Sequence, residues 1–231
     1  MAEIRSVQCT DIYLYHPDEF LTNSLVSQKF LIEIQEKYSL TLSVPPIAVQ
    51  TNQSPIVFTG GVFRYKEKEY SIENLQIENR KVSITGHCET SILKAFYTEF
   101  LLVVDKYDSR PTLSQHKSLV HTHETVAICK FNKPFSAFLS TGLVSDIPEA
   151  LHTKINNHGG TVIVEPYSVK YKIKYRDVPD EIVDNKIQLV DKLLTFEVRE
   201  KTSITDCIIF TVSPCDFGTH MQLIETVEKM L

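Results

Sequence analysis

The chain has 231 residues, is 42% apolar and 23% charged, and carries a formal net charge of −5. That apolar share can build a packed core and excludes the low-hydrophobicity composition of a disordered chain. No run of about 18 apolar residues occurs, so no membrane-spanning helix is expected, and the opening residues MAEIRSVQCTDIYLYHPDE carry charges where a signal peptide needs an apolar stretch.

In chain order, Ser6–Tyr15 is rich in β-branched and aromatic residues and predicts a strand. Pro17, Asp18 and Glu19 form a helix-start signal, and Val26, Phe30, Ile34 and Tyr38 recur at helical spacing. Four strands are expected next, at Thr41–Thr51, Pro55–Tyr65, Glu69–Glu78 and Lys81–Cys88. Asn52-Gln53-Ser54, Lys66-Glu67-Lys68 and Asn79-Arg80 mark the turns between them. Glu89–Tyr107 follows with a wide apolar stripe of Ile92, Phe96, Phe100, Val103 and Val104, which predicts a helix.

The order then repeats. His123–Phe131 predicts a strand, and Pro134 opens a helical stretch that ends at Asn157-His158-Gly159-Gly160. Strands are expected at Thr161–Val164, Tyr167–Arg176, Lys192–Glu200 and Ile204–Ser213, with Lys186–Val190 as a weaker one. Asp216 is placed to cap a closing helix, Phe217–Leu231, whose buried face would carry Met221, Ile224, Val227 and Leu231.

Both parts thus read β-α-β-β-β-β-α. The expected fold is α+β: residues 1–107 and 123–231 form two tandem halves, joined by a polar linker at 108–122. Each half would make a curved antiparallel sheet with its helices on one face. Joined edge to edge, the two would hide a pair of exposed strand edges. A tandem of β-α-β4-α units resembles the TATA-binding-protein-like fold, over about residues 6–231, by element order alone. The resemblance implies a saddle with a concave sheet and convex helices. It brings no function across, because the TATA-binding protein is strongly basic and this chain is acidic.

Charge is spread evenly: residues 1–115 hold 11 basic and 14 acidic side chains, and residues 116–231 hold 13 and 15. Neither part attracts nucleic acid or anionic lipid as a whole. Locally, VKYKIKYR at 169–176 is the most patterned segment. Strand alternation places Lys170, Lys172, Lys174 and Arg176 on one face and Val169, Tyr171, Ile173 and Tyr175 on the other. Such a stripe suits a phosphate backbone, or it pairs with nearby acids such as Asp177, Asp180, Glu181, Asp184 and Asp191. Arg64, Lys66 and Lys68 are a weaker counterpart in the first part.

His121 and His123 project to one side of an extended segment, as metal ligands would, with His116 close in sequence and no evident further ligand. His123-Glu124-Thr125-Val126 also fits the H-x-T-apolar pattern of two-histidine phosphoesterases. That chemistry needs two copies, and no second copy occurs. Gly86-His87-Cys88-Glu89 sits at a strand-to-helix junction, where a thiol can be activated, but neighbours on a strand point to opposite faces. Gly60-Gly61 and Gly159-Gly160 belong to no nucleotide-binding loop. The five cysteines include no CxxC, which predicts reduced thiols in a cytoplasmic protein.

No nucleophile–base constellation, paired-carboxylate site or cofactor motif emerges, so no cofactor is expected. The functional expectation is a non-catalytic binding or adaptor subunit of a multiprotein complex that holds a macromolecular partner on a sheet face, with a protein as the expected partner and a homo-oligomer or hetero-complex as the expected assembly. Two alternatives stand: a nucleic-acid binder using strand 169–176, and an enzyme, metal-dependent or not, whose site is assembled from dispersed residues.

Overall fold

The computed structural model describes residues 2–16, 25–43, 55–107, 118–135, 167–174, 180–184 and 191–230. Strand β1 (Glu3–Leu14) buries alternate residues Cys9, Asp11 and Tyr13 and leaves Thr10, Ile12 and Leu14 half-buried on its other face. Helix α1 (Gln28–Tyr38) begins where the Ser27 hydroxyl accepts the Phe30 amide and stops at Ser39, whose φ of 53° is left-handed. Its buried stripe is Phe30, Leu31, Ile34 and Tyr38.

Strands β2 (Thr41–Leu42), β3 (Ile56–Tyr65), β4 (Lys68–Glu78) and β5 (Lys81–Gly86) follow, then helix α2 (Thr90–Tyr107). The β3–β4 turn is the expected one: Lys66 and Glu67 take φ of 48° and 64°, the two positive angles that let a two-residue hairpin follow the twist of its strands. Gly61 has a different task. A Cβ there would lie 2.5 Å from the Leu40 side chain and 2.8 Å from the Tyr38 carbonyl oxygen, so only glycine lets β3 approach the end of α1.

Strands β6 (Val120–Lys130) and β7 (Ser168–Ile173) come next. They are followed by a short helix α3 (Asp180–Asp184), strands β8 (Lys192–Val198) and β9 (Ile208–Ser213), and helix α4 (Phe217–Met230). Asp216 caps α4 by accepting the Thr219 amide at 3.1 Å. The strands form one open sheet in the order β2-β3-β4-β5-β1-β6-β9-β8-β7. Every neighbouring pair is antiparallel. The protein is therefore α+β, with a nine-stranded antiparallel sheet and four helices among the described residues.

Several boundaries differ from expectation. Strand β6 starts at Val120, because its ladder with β1 continues through Leu14–Val120 and takes in His121 and Thr122, which the sequence alone places in the 108–122 linker. Ile204–Asp206 is a single 3-10 turn rather than strand, because the Ser203 hydroxyl and the Asp206 carboxylate close a capping box around it. The five-residue α3 was not expected. The helical stretch expected after Phe135 and the strands at Thr161–Val164 and Lys186–Val190 lie outside the described residues, as do Arg176 and His116.

Facing is fixed by register. Cys9 lies opposite Thr125, Asp11 opposite His123, Tyr13 opposite His121, and Thr125 opposite Ser213. Tyr97 of α2 stacks on Tyr13 at 3.5 Å, and His220 of α4 bonds to Thr211 and Ser213. Both helices therefore cover the same sheet face. Helix α1 joins them through Tyr38 on Phe96, 4.7 Å between ring centres. The buried side chains form two clusters on this face. One centres on Phe30, Phe58, Phe96 and Phe100, and the other on Ala127, Cys129, Phe196 and Ile224.

The opposite face bears Gln8, Thr10 and Ile12 of β1. Beside them it bears two directly opposed apolar pairs of β6 and β9, Val126–Val212 and Ile128–Phe210. These four are only half-buried.

Candidate functional site

The basic strand is the first place to look for function. Register puts Lys170 and Lys172 on one face of β7, as alternation predicts. Their charges are already matched: Lys170 Nζ lies 3.3 Å from the Glu197 carboxylate of β8, and Lys172 Nζ lies 2.7 Å from that of Asp191. Asp191 was among the acids the sequence offered, and Glu197 was not. Lys174 is exposed just past the strand. Tyr171, expected to be buried, is 55% exposed. Among the described strands β7 is terminal, and the core clusters do not reach as far as Tyr171.

Arg64, Lys66 and Lys68 occupy the β3–β4 hairpin, near the other end of the sheet. The structure does not bring the two basic sets together. Arg64 Nε donates to Glu69 at 2.8 Å, and Lys66 lies over the Tyr65 ring at 5.2 Å. A cleft beside this hairpin is lined by Lys37, Arg64, Glu69 and Glu99. These charges are also paired, with Lys37 2.8 Å from Glu99.

The centre of the sheet holds a denser cluster. Asp11 is fully buried on the helix-bearing face of β1. Antiparallel pairing brings His123 directly opposite it and His121 two residues along, opposite Tyr13. His123 Nδ1 lies 2.8 Å from Asp11 Oδ1, and His121 Nε2 lies 3.5 Å from Oδ2. The Tyr13 hydroxyl donates to the same Oδ2 at 3.1 Å. The Tyr13 ring is sandwiched between Tyr97 and His121, at 3.5 and 4.1 Å between centres, which fixes the plane of the imidazole.

Electrostatics follow from this geometry. Burial alone would raise the Asp11 pKa, but hydrogen bonds from His121 and His123 outweigh it and hold the carboxyl below its usual value. The hydrogen bond to Asp11 raises His123, against the opposing effect of its own burial. Asp216 adds to the rise and Lys94 offsets it. The cluster is thus a buried carboxylate served by two imidazoles and a phenol. His121 is its exposed member and His123 is half-buried.

The Cys9 thiol contacts the Thr125 hydroxyl at 3.6 Å, and burial pushes its pKa up to about 11. Cys88 is buried with its pKa pushed up to about 12 by the same cause, while its neighbour His87 points outward beside Glu73. Gly86-His87-Cys88 is therefore a structural junction. The sequence singled out His121 and His123 but missed Asp11, which lies more than a hundred residues earlier. Its only signal is an acid set between Cys9 and Tyr13 at the inward positions of the strand.

No protein-family model matches this chain, and no curated protein matches it significantly.

Proposed function

We propose that this protein is a non-catalytic binding module that holds a protein partner on the face of its sheet opposite α1, α2 and α4, as a subunit of a larger complex. The observation that carries this reading is the pair of apolar couples on that face, Val126–Val212 and Ile128–Phe210, left half-exposed at mid-sheet. Apolar cross-strand pairs usually stabilise a sheet by being covered. The net charge of −5 and the compensated lysines of β7 favour a protein over a nucleic acid.

The reading includes an architecture of two tandem halves in the manner of the TATA-binding-protein-like fold. It is supported by the strand order, which runs outward from the central β1–β6 pair as β1-β5-β4-β3-β2 on one side and β6-β9-β8-β7 on the other. An experimental structure in which residues 6–107 superpose on 123–231, with α2 over α4, would support the duplication, and unrelated halves would remove it.

The binding reading is tested by affinity capture of the tag-free chain's partners with wild type and with Ile128→Lys/Val212→Lys. A protein recovered stoichiometrically with wild type and lost from the double variant supports it. A strictly monomeric mass by light scattering with no stoichiometric partner, or a partner retained by the double variant, overturns it. A salt-dependent mobility shift with nucleic acid would favour the basic strand instead.

A further inference from the structure

We propose that Asp11, His121 and His123 bind one divalent first-row transition-metal ion, with solvent completing its coordination. This site is separate from the partner-binding face, because all three side chains lie on the helix-bearing side of the sheet.

The donor set comes first. Two imidazoles and one carboxylate are a borderline ligand set, suited to Zn²⁺, Co²⁺, Ni²⁺ or Fe²⁺ and unsuited to Mg²⁺ or Ca²⁺, which prefer oxygen shells. The donor atoms of the three residues lie within 4.8 Å of one another. Bonds of about 2.1 Å place adjacent donors about 3 Å apart on an octahedral ion and about 3.4 Å apart on a tetrahedral one. His123 Nδ1 already stands 2.8 Å from Asp11 Oδ1 and His121 Nε2 3.5 Å from Oδ2, close to ligand spacing, and closing the set draws the three donors in from a spread of at most 4.8 Å.

The surroundings fit a held ligand set. The Tyr13 hydroxyl donates to Asp11 Oδ2 and its ring carries His121, the kind of outer support that orients ligands on a metal. Both strands that supply ligands are central in the sheet, so the three positions are fixed by a continuous ladder rather than by a loop. The exposure of His121 gives an entry path and room for solvent ligands. The ion takes the place of the proton now held between His123 and Asp11. The neighbouring charges, Asp216 and Lys94, are opposite in sign and leave the local balance to Asp11.

The test is calorimetric titration of tag-free protein, stripped with EDTA and dialysed, with ZnCl₂ at pH 7.5. Cobalt absorption is the second readout. One equivalent should bind with a dissociation constant of about 1 µM or tighter, and Mg²⁺ at millimolar concentration should give no heat. His121→Ala and His123→Ala should each weaken Zn²⁺ at least about tenfold and alter the cobalt spectrum, while His87→Ala should change neither. Circular dichroism checks the fold of each variant. If Asp11→Asn does not fold, His121→Ala and His123→Ala decide the matter, since both side chains are more than a quarter exposed. Absence of Zn²⁺ binding at 100 µM protein (roughly the ceiling for such a site) overturns the proposal. So does one-equivalent binding that survives both histidine substitutions; the cluster would then be a salt-bridged hydrogen-bond network only.

Discussion

His220 should make the protein lose stability as mild acid is approached. The side chain is 1% exposed, beneath β9 on α4. Thr211 Oγ1 donates to the Ala127 carbonyl at 3.2 Å, so it accepts from His220 Nε2 at 2.9 Å. Nδ1 then accepts the Ser213 hydroxyl at 2.6 Å. This arrangement satisfies a neutral imidazole completely, whereas an imidazolium would have to turn the Ser213 hydroxyl round to accept its second proton and would still be a buried charge with no counter-ion among these partners. Burial lowers the pKa from 6.5 to about 4. Above pH 6.5 neither folded nor unfolded chain holds the extra proton. Between 6.5 and 4 the unfolded chain binds it and the folded chain does not, so stability falls as pH falls, by about 3 kcal/mol in all, most of it by pH 4.5.

Other groups act elsewhere on the scale. The lowered carboxyls of Asp11, Asp216 and Glu228 lose their stabilising contribution only as pH drops through and below their ordinary values of 3.8 to 4.5. The raised His123 contributes below pH 6.5 and loses its effect above it. Urea unfolding followed by far-ultraviolet circular dichroism, at constant ionic strength from pH 7 to 4.5, isolates the His220 window. His220→Gln keeps a donor and an acceptor but cannot titrate. It should be less stable at pH 7 by about 1–2 kcal/mol and lose little between pH 6.5 and 4.5. A wild-type protein whose stability is flat over that window, or a His220→Gln variant that falls as steeply, would refute the reasoning.

Thiol titration of the folded protein should count at most Cys207 and Cys215. Cys9, Cys88 and Cys129 should react only after unfolding, because they are buried and their pKa values are pushed up to about 11, 12 and 11. Lys172→Glu/Lys174→Glu should fold normally and cost less than about 1 kcal/mol by urea unfolding, because the Lys172–Asp191 pair is solvent-exposed; a larger loss would mean the pair is structurally essential. Gly61→Ala should lower the urea midpoint by about 1–3 kcal/mol in stability, through the Tyr38 carbonyl and Leu40 contacts, and an unchanged midpoint would show that β3 can move away freely.

Local pattern carried much of the fold. Period-2 alternation located β1, β3, β4, β5, β8 and β9 to within a few residues, and the Phe96–Phe100–Val103 stripe located α2, because each signal is written in neighbouring residues. Capping chemistry marked α4 through Asp216. The boundary of β6 was less legible, since His121 and Thr122 look like linker until β1 is there to pair with them. The Asp11 cluster was illegible for the same reason: its geometry exists only in the β1–β6 register. The compensation of Lys170 by Glu197 likewise depends on which residues of β8 face β7, which composition does not state.

The lysines of β7 acquire another meaning from their place at the rim. Among the described strands, β7 pairs only with β8, so one side of its backbone offers amides and carbonyls to any extended chain that arrives. A second copy adding there antiparallel would stand about 4.8 Å away and set its own Lys170 and Lys172 among these. That crowding of like charge makes strand addition unfavourable. At the other rim β2 is only two residues long, too short a template to recruit a neighbour. Among the described strands, the sheet thus ends in charge on one side and in brevity on the other. Replacing Lys170, Lys172 and Lys174 with threonine removes that repulsion from the rim of the described strands without touching the core cluster.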